Sequence, residues 1–170
     1  YRWNPQVYAG RGIDTAVFHP PEKPRESDRF VILYAGRFSR EKGIDTLLEA
    51  VSMLPDSTQL VLVGGGDYKS ELIKRVAYCR LEKNVSFLAP QDTEMMVSCY
   101  HNADVLVLPS LTTTVWKEQF GRVLVEAMAC RLPVVGSDSG AIPEVIGDGG
   151  LIFCEGDAGD LARSLRLLMT

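Results

Sequence analysis

The sequence predicts a doubly wound α/β domain: a six-stranded, mostly parallel sheet with helices on both faces. Two observations carry this. Short runs recur that are apolar at successive residues rather than at alternate ones, as expected of strands buried on both faces. Each run is followed by a stretch whose apolar residues fall at helical spacing, so strand and helix alternate along the chain.

The first phrase is FVILYAG (30–36), followed after GRFSREKG by Ile44, Leu47, Leu48, Val51 and Leu54. QLVLVGGG (59–66) leads to Leu72, Ile73, Val76 and Ala77, and NVSFLA (84–89) to Met95, Met96, Cys99 and Tyr100. DVLVLPS (104–110) leads through a long aperiodic stretch to a helix from Phe120 carrying Val123, Leu124, Ala127 and Met128. LPVVGSD (132–138) precedes the short AIPEVIG, and GLIFC (150–154) precedes Leu161, Leu165 and Leu168. The commonest order for six such strands is 3-2-1-4-5-6, with ligands bound beyond the carboxyl ends of strands 1 and 4, where the order reverses. The two loops richest in chemistry follow those two strands.

With 170 residues, 46% of them hydrophobic, the chain suits one well-buried core. A net charge of -4 and a pI near 5.2 leave no electrostatic footprint for nucleic acid, and no apolar run approaches the roughly 20 residues of a membrane span. YRWNPQVYAG opens without an initiator Met or a signal region, so the sequence is expected to be a piece of a longer protein. Residues 1–28 read as a linker or edge segment, with QVYAG a candidate edge strand and EKPRESD (22–28) irregular, and residues 29–170 as the domain. Cys79, Cys99, Cys130 and Cys154 form no C-x-x-C pair and have only two His residues to join them, so they read as small core residues of a reduced, cytosolic protein, with no metal or redox site.

After strand 1, Gly36 to Gly43 carry Arg37, a planar fork of donors, and Lys42, a mobile point charge, which together suit a diphosphate. The plain alternative, solvated charges at a turn, is outweighed by the switch-point position. The second loop, PSLTTTVWKEQFG, is longer than an ordinary strand-to-helix joint and reads as functional. Gly121 is placed in the helix's first turn, where the absent side chain would let an anion approach backbone N–H groups at the positive end of the helix dipole. Glu118 and Glu126 form E-x7-E. Were the stretch wholly helical, they would stand about 12 Å apart along the axis, too far to share a proton and suited to hydroxyl pairs at the two ends of an extended ligand. Taken singly, Glu118 reads equally well as a first-turn acid and Glu126 as an i, i+4 partner of Arg122.

Gly64-Gly65-Gly66-Asp67 lacks the third glycine of a dinucleotide fingerprint and reads as a tight turn or close approach. Ser137 to Gly140, with Pro143 and Glu144, reads as a polar turn lining the same edge. His19 and His101 receive no role.

Taken together, GRFSREKGIDTLLEA, LVLVGGGD, ADVLVLPS, WKEQFGRVLVEAMAC and PVVGSDSGAIPEVI resemble, in order and spacing, the nucleotide-sugar-binding C-terminal half of family-4 (group 1) retaining glycosyltransferases, which have the two-Rossmann-domain GT-B fold. The resemblance runs from about Val7 to the end. It implies a nucleoside-diphosphate sugar as donor, with Arg37 and Lys42 on the diphosphate, Gly36 and Gly64 in the donor site, and the backbone around Phe120, Gly121, Arg122 and Val123 near sugar and phosphate. It places donor-sugar hydroxyls on Glu118, ribose on Glu126 and the base near Leu88 and Ala89. Arg37, Lys42 and Glu118 would form the catalytic set, with no metal or other cofactor. The acceptor would be bound by a missing N-terminal domain, which would also make any peripheral membrane contact of an otherwise cytoplasmic protein. Alone, the domain would bind donor weakly and transfer nothing. Trp116 and Thr112 to Thr114 are placed to tune sugar choice.

The sequence departs from the family at Gly10-Arg11-Gly12, at Ala89, and at Arg131-Leu132, where a C-cap glycine is usual and its loss costs a few tenths to ~1 kcal/mol. Competing readings are an epimerase or phosphorylase on the same scaffold, against which E-x7-E argues, and a non-catalytic nucleotide-binding or interaction module. A nicotinamide dehydrogenase is disfavoured by the missing glycine fingerprint.

Overall fold

The computed structural model describes residues 12–23, 25 and 27–169; the candidate edge strand QVYAG lies outside them. Six strands, β1 (Val31–Arg37), β2 (Gln59–Gly65), β3 (Val85–Leu88), β4 (Val105–Leu108), β5 (Val134–Ser137) and β6 (Gly150–Phe153), alternate with helices. These are α1 (Ile44–Val51), α2 (Lys69–Tyr78), α3 (Thr93–His101), α4 (Arg122–Ala129), α5 (Ile142–Ile146) and α6 (Ala158–Leu168). All strand pairs are parallel, in the order β3-β2-β1-β4-β5-β6 that the alternation predicts.

Period-two alternation along β1 sends Ile32 and Tyr34 to one face and Leu33 and Ala35 to the other. The first face is covered by Leu47, Leu48, Leu72, Val76, Leu161 and Leu165, from α1, α2 and α6. Tyr100, Leu124, Ala127, Ile142 and Ile146, from α3, α4 and α5, cover the second. Each such side chain taken fully out of water contributes about 1.5–3 kcal/mol, which fixes the sheet as the rigid base of the loops above it. The lead-in read as a linker packs down at Phe18, buried against Tyr100 with ring centroids 6.2 Å apart. Asp104 ties Arg25 and the Val31 amide together at the amino end of β1.

Some helical faces are narrower than the sequence suggests. Ile73, Ala77 and Met95 are exposed, while Leu72, Val76 and Tyr100 do the packing. Among the described residues no helix is long and apolar enough to cross a membrane.

Helices α2 and α4 end alike. Arg80 (φ 59) and Arg131 (φ 58) hold left-handed conformations. Their amides donate to Ala77 O and Met128 O, and the next amides, of Leu81 and Leu132, donate to Val76 O and Ala127 O. This is the double bond of a Schellman cap, with the leucine tucked beneath it. A β-carbon is strained in that conformation and glycine is not. Arg80→Gly and Arg131→Gly should therefore each stabilise the domain by about 0.5–1 kcal/mol, and additively because the two caps share no partner. Urea unfolding of the two variants and the double checks this; an unchanged or lowered midpoint would contradict it.

Candidate functional site

The loop after β1 is built from the inside outward. Tyr34, fully buried, donates from its hydroxyl to Arg37 O at 2.8 Å, and Phe38, also buried, donates its amide to Gly65 O at 2.7 Å. Pinned at these two points, the backbone leaves the Arg37 side chain outside, 65% exposed and paired with Glu41 at 2.9 Å. Ser39 Oγ donates to the same carboxylate at 2.7 Å. The Glu41 carboxyl is held below the ordinary range, first by the Ser39 hydroxyl, then by its own amide, with Arg37 adding to both. Burial pushes the Tyr34 phenol far up, helped by the charges of Glu118 and Glu41, so it stays a neutral donor. A 3-10 turn, Arg40–Lys42, and Gly43 then deliver Lys42 to the crevice.

The second loop, Pro109 to Gly121, is irregular but tied down along its length. Leu111 N donates to Glu41 O at 2.8 Å, joining it to the first loop. Ser137 Oγ donates to Ser110 O at 2.6 Å in a buried contact, Thr112 Oγ1 meets Ser139 Oγ at 3.0 Å, and Thr112 N donates to Glu155 at 2.7 Å. Ala141 N donates to Glu118 O at 3.0 Å. The polar turn Ser137 to Gly140, read as part of the crevice edge, thus serves as the scaffold that holds Glu118.

Two expectations need correction here. Helix α4 begins at Arg122, not Phe120, and Gly121 is its N-cap, in a left-handed conformation (φ 71) outside the first turn. Glu118 therefore lies in the irregular loop, and a separation computed along a helix does not apply to E-x7-E. The physical reason is the tethering just described, which holds Glu118 to the loop after β5 in place of a helical turn.

The charged groups meet where the two loops touch. Lys42 Nζ and Glu118 Oε2 are 2.7 Å apart, with side chains only 17% and 12% exposed, and Ser110 Oγ donates to the same oxygen at 3.1 Å. Glu126 takes a bond from Tyr100 at 2.7 Å and an ion pair with Arg122 Nε at 3.0 Å. The i, i+4 pair is thus real, but Tyr100 orients the carboxylate as well. Burial, and then Glu126, push the Tyr100 phenol up.

Two adjoining cavities share Ala35, Gly36, Arg37 and Val123. The first, about 370 Å³, is bounded by Gly64, Gly65, Pro90, Gln91, Met96 and Glu126. The second, about 340 Å³, is bounded by Tyr34, Lys42, Leu108, Glu118, Gly121 and Arg122. Leu88 and Ala89 border neither cavity; Pro90 and Gln91, the next residues along the chain, border the first. Phe120 is half-buried and also off both linings. Gly64 lines the first cavity and has a structural reason of its own: a β-carbon there would stand 1.9 Å from Gly36 O.

Sequence reasoning missed Tyr34, Tyr100, Ser110, Ser137 and Ser139 as supports. Both tyrosines sit at apolar-periodic positions, where a hydroxyl leaves no mark on the pattern. His19 and His101 face each other at 5.6 Å, away from the crevice, and among the described residues no three His, Cys, Asp or Glu side chains are grouped as metal ligands would be.

Residues 18–170 match the family model described as glycosyl transferases group 1. The D-inositol 3-phosphate glycosyltransferase of Mycolicibacterium vanbaalenii is 33% identical over 178 residues, 91% of this chain and 38% of that protein. Sucrose-phosphate synthase from Thermosynechococcus elongatus superposes with a TM-score of 0.82 at 32% identity, over 93% of this chain and 42% of that one. Anabaena HepE, solved in complex with UDP and glucose, gives 0.80 at 26% identity, over 93% and 46%. The chain spans less than half the length of these relatives. With this sheet order, this crevice and these matches, the chain belongs to the group 1 glycosyltransferases, and its sheet is a Rossmann-like half of the GT-B fold.

Proposed function

We propose that this domain binds the nucleoside-diphosphate sugar donor of a retaining hexosyltransferase. One observation carries the reading: at the switch point of the sheet, Arg37, Lys42 and the amino end of α4 converge on one crevice that has Glu118 in one cavity and Glu126 in the other. The nucleoside would occupy the first cavity with its ribose on Glu126, and the base would meet Pro90 and Gln91 beyond Leu88 and Ala89. The diphosphate would lie against Arg37, Lys42 and the amides of Arg122 and Val123, with the sugar near Glu118. That Anabaena HepE was solved in complex with UDP and glucose supports a nucleotide sugar as the donor.

In transfer, the bond from the sugar's anomeric carbon to the diphosphate breaks and its electron pair moves onto the leaving oxygen. Arg37, Lys42 and the helix dipole stabilise that growing charge. The acceptor hydroxyl attacks on the same face, and its proton passes to the departing diphosphate, which gives retention. Two side-chain cations supply the counter-charge, so the reading calls for no metal. The acceptor would be held by a second domain, which would also make any peripheral contact with the cytoplasmic face of a membrane.

Calorimetric titration with UDP, GDP and ADP tests the reading. One nucleotide should bind, and Arg37→Ala and Glu126→Ala should each weaken it by about tenfold or more, as expected for the loss of a charged hydrogen bond. Binding of none, or binding that both substitutions leave unchanged, would overturn it.

A further inference from the structure

Lys42 is a long, flexible side chain, and a lysine left free loses rotamer entropy on gripping a phosphate. In this structure its ammonium is already held on two sides. Glu118 takes it at 2.7 Å, and the face of the Trp116 indole lies with its ring centroid 4.5 Å away. That is within the range of a cation–π contact, whose strength grows as the ammonium leaves water.

The indole is aimed by its own turn. Thr113 Oγ1 accepts from Trp116 N at 3.0 Å and from Val115 N at 3.3 Å, while Thr113 N donates to Trp116 O at 2.7 Å. This closed turn is fixed to the body of the domain through Thr112, which bonds Ser139 and Glu155. Val115 at its tip is 92% exposed, whereas Trp116 beside it is folded back over Lys42. An exposed valine next to a turned-in tryptophan is what results when the turn exists to place the indole.

We infer that Trp116 is a positioning residue for diphosphate recognition: its ring holds the Lys42 ammonium in the crevice, ready to exchange Glu118 for a phosphate oxygen. The role rests on the donor-site reading above and extends it to a side chain that touches no ligand itself. When a diphosphate arrives, the indole keeps the ammonium in place while Glu118 is released toward the sugar. Glu118 is thus free to read hydroxyls only once the diphosphate has taken its lysine.

The test compares the nucleotide selected from UDP, GDP and ADP with its parent nucleoside on the 170-residue chain. Trp116→Leu should weaken the nucleoside diphosphate about tenfold and leave the nucleoside unchanged, and Trp116→Phe should recover most of the loss. Thr113→Val, which removes the hydroxyl that aims the ring, should act in the same direction. Before any ligand is added, ring-current shielding should move the Lys42 Hε resonances upfield in the wild type and not in Trp116→Leu. If the wild type binds the diphosphate more tightly than the nucleoside and Trp116→Leu keeps that ratio, the inference is overturned and the donor site stands. If the wild type binds none of the three nucleotides, the donor-site reading fails and takes the inference with it.

Discussion

Gly43→Ala is expected to destabilise the domain by about 2–4 kcal/mol and to weaken nucleotide binding beyond that loss of folded protein. Gly43 has φ 65 and ψ 21, in the left-handed region, where a β-carbon costs about 1–2 kcal/mol. It also lies against the other loop, so that an added β-carbon would stand 1.8 Å from Pro109 O and 2.9 Å from Pro109 C. These are backbone atoms at the root of the Pro109 to Gly121 loop, and moving them adds about 1–3 kcal/mol of overpacking strain. Gly156→Ala separates the two costs, since Gly156 has φ 78 but meets nothing closer than Leu111 Cδ2 at 3.9 Å. It should lose only about 1 kcal/mol. Urea unfolding of both variants gives the comparison, and equal losses would show that the approach of the two loops is unimportant. The functional part follows because Lys42 directly precedes Gly43 and Leu111 N bonds Glu41 O. Pushing the loops apart moves Lys42 from Glu118 and Trp116 together.

The fold was legible because the strands are buried on both faces. Ile32, Leu33, Tyr34 and Ala35 are apolar in succession, which a one-sided sheet does not require, and the alternation with helices then implies parallel pairing. The strand order, and with it the meeting of the two charged loops, is then the commonest arrangement of six such strands. Boundaries were harder to read where tertiary bonds decide them. Phe120 and Gly121 look like the start of a helix by spacing, yet the Glu118 carbonyl is taken by Ala141 N and Gly121 turns left-handed, so α4 starts at Arg122. No local pattern encodes a bond to a residue 23 positions away.

The same distinction divides the site. Arg37 and Lys42 could be singled out by their charge beside the switch point, and Glu118 and Glu126 by their spacing together with the family resemblance; all four border the crevice. Their supports could not, because Tyr34, Tyr100 and Ser110 look like ordinary strand, helix and turn residues until the fold brings each to a carbonyl or carboxylate. On the base side, the end of β3 could be estimated from sequence, but not that Pro90 and Gln91, just beyond Leu88 and Ala89, are the residues that border the first cavity. Arg131, by contrast, was legible as a lost glycine, and Arg80 adopts the same conformation with nothing in its sequence context to announce it.

Lys42→Ala should produce the largest change in ligand binding, lowering nucleoside-diphosphate affinity about 30- to 100-fold, or about 2–3 kcal/mol, while the parent nucleoside binds as before. It should also cost stability, which Arg37→Ala should not. Removing the lysine leaves Glu118, only 12% exposed, with Ser110 as its remaining side-chain partner. An uncompensated carboxylate in that position costs about 1–3 kcal/mol, toward the lower side of the range for buried pairs because some solvent still reaches it. Arg37 is 65% exposed and its Glu41 partner keeps the Ser39 bond, so its loss should change stability by less than about 0.5 kcal/mol. The double variant Lys42→Ala, Glu118→Gln distinguishes the two effects of the lysine. Neutralising the stranded carboxylate should recover most of the stability and none of the diphosphate affinity. Urea unfolding and calorimetry on the four proteins read both quantities. If Lys42→Ala preserved the ratio of nucleotide to nucleoside affinity, Lys42 would be a structural counter-ion of Glu118, and the diphosphate would have to be held by Arg37 and the amino end of α4 alone.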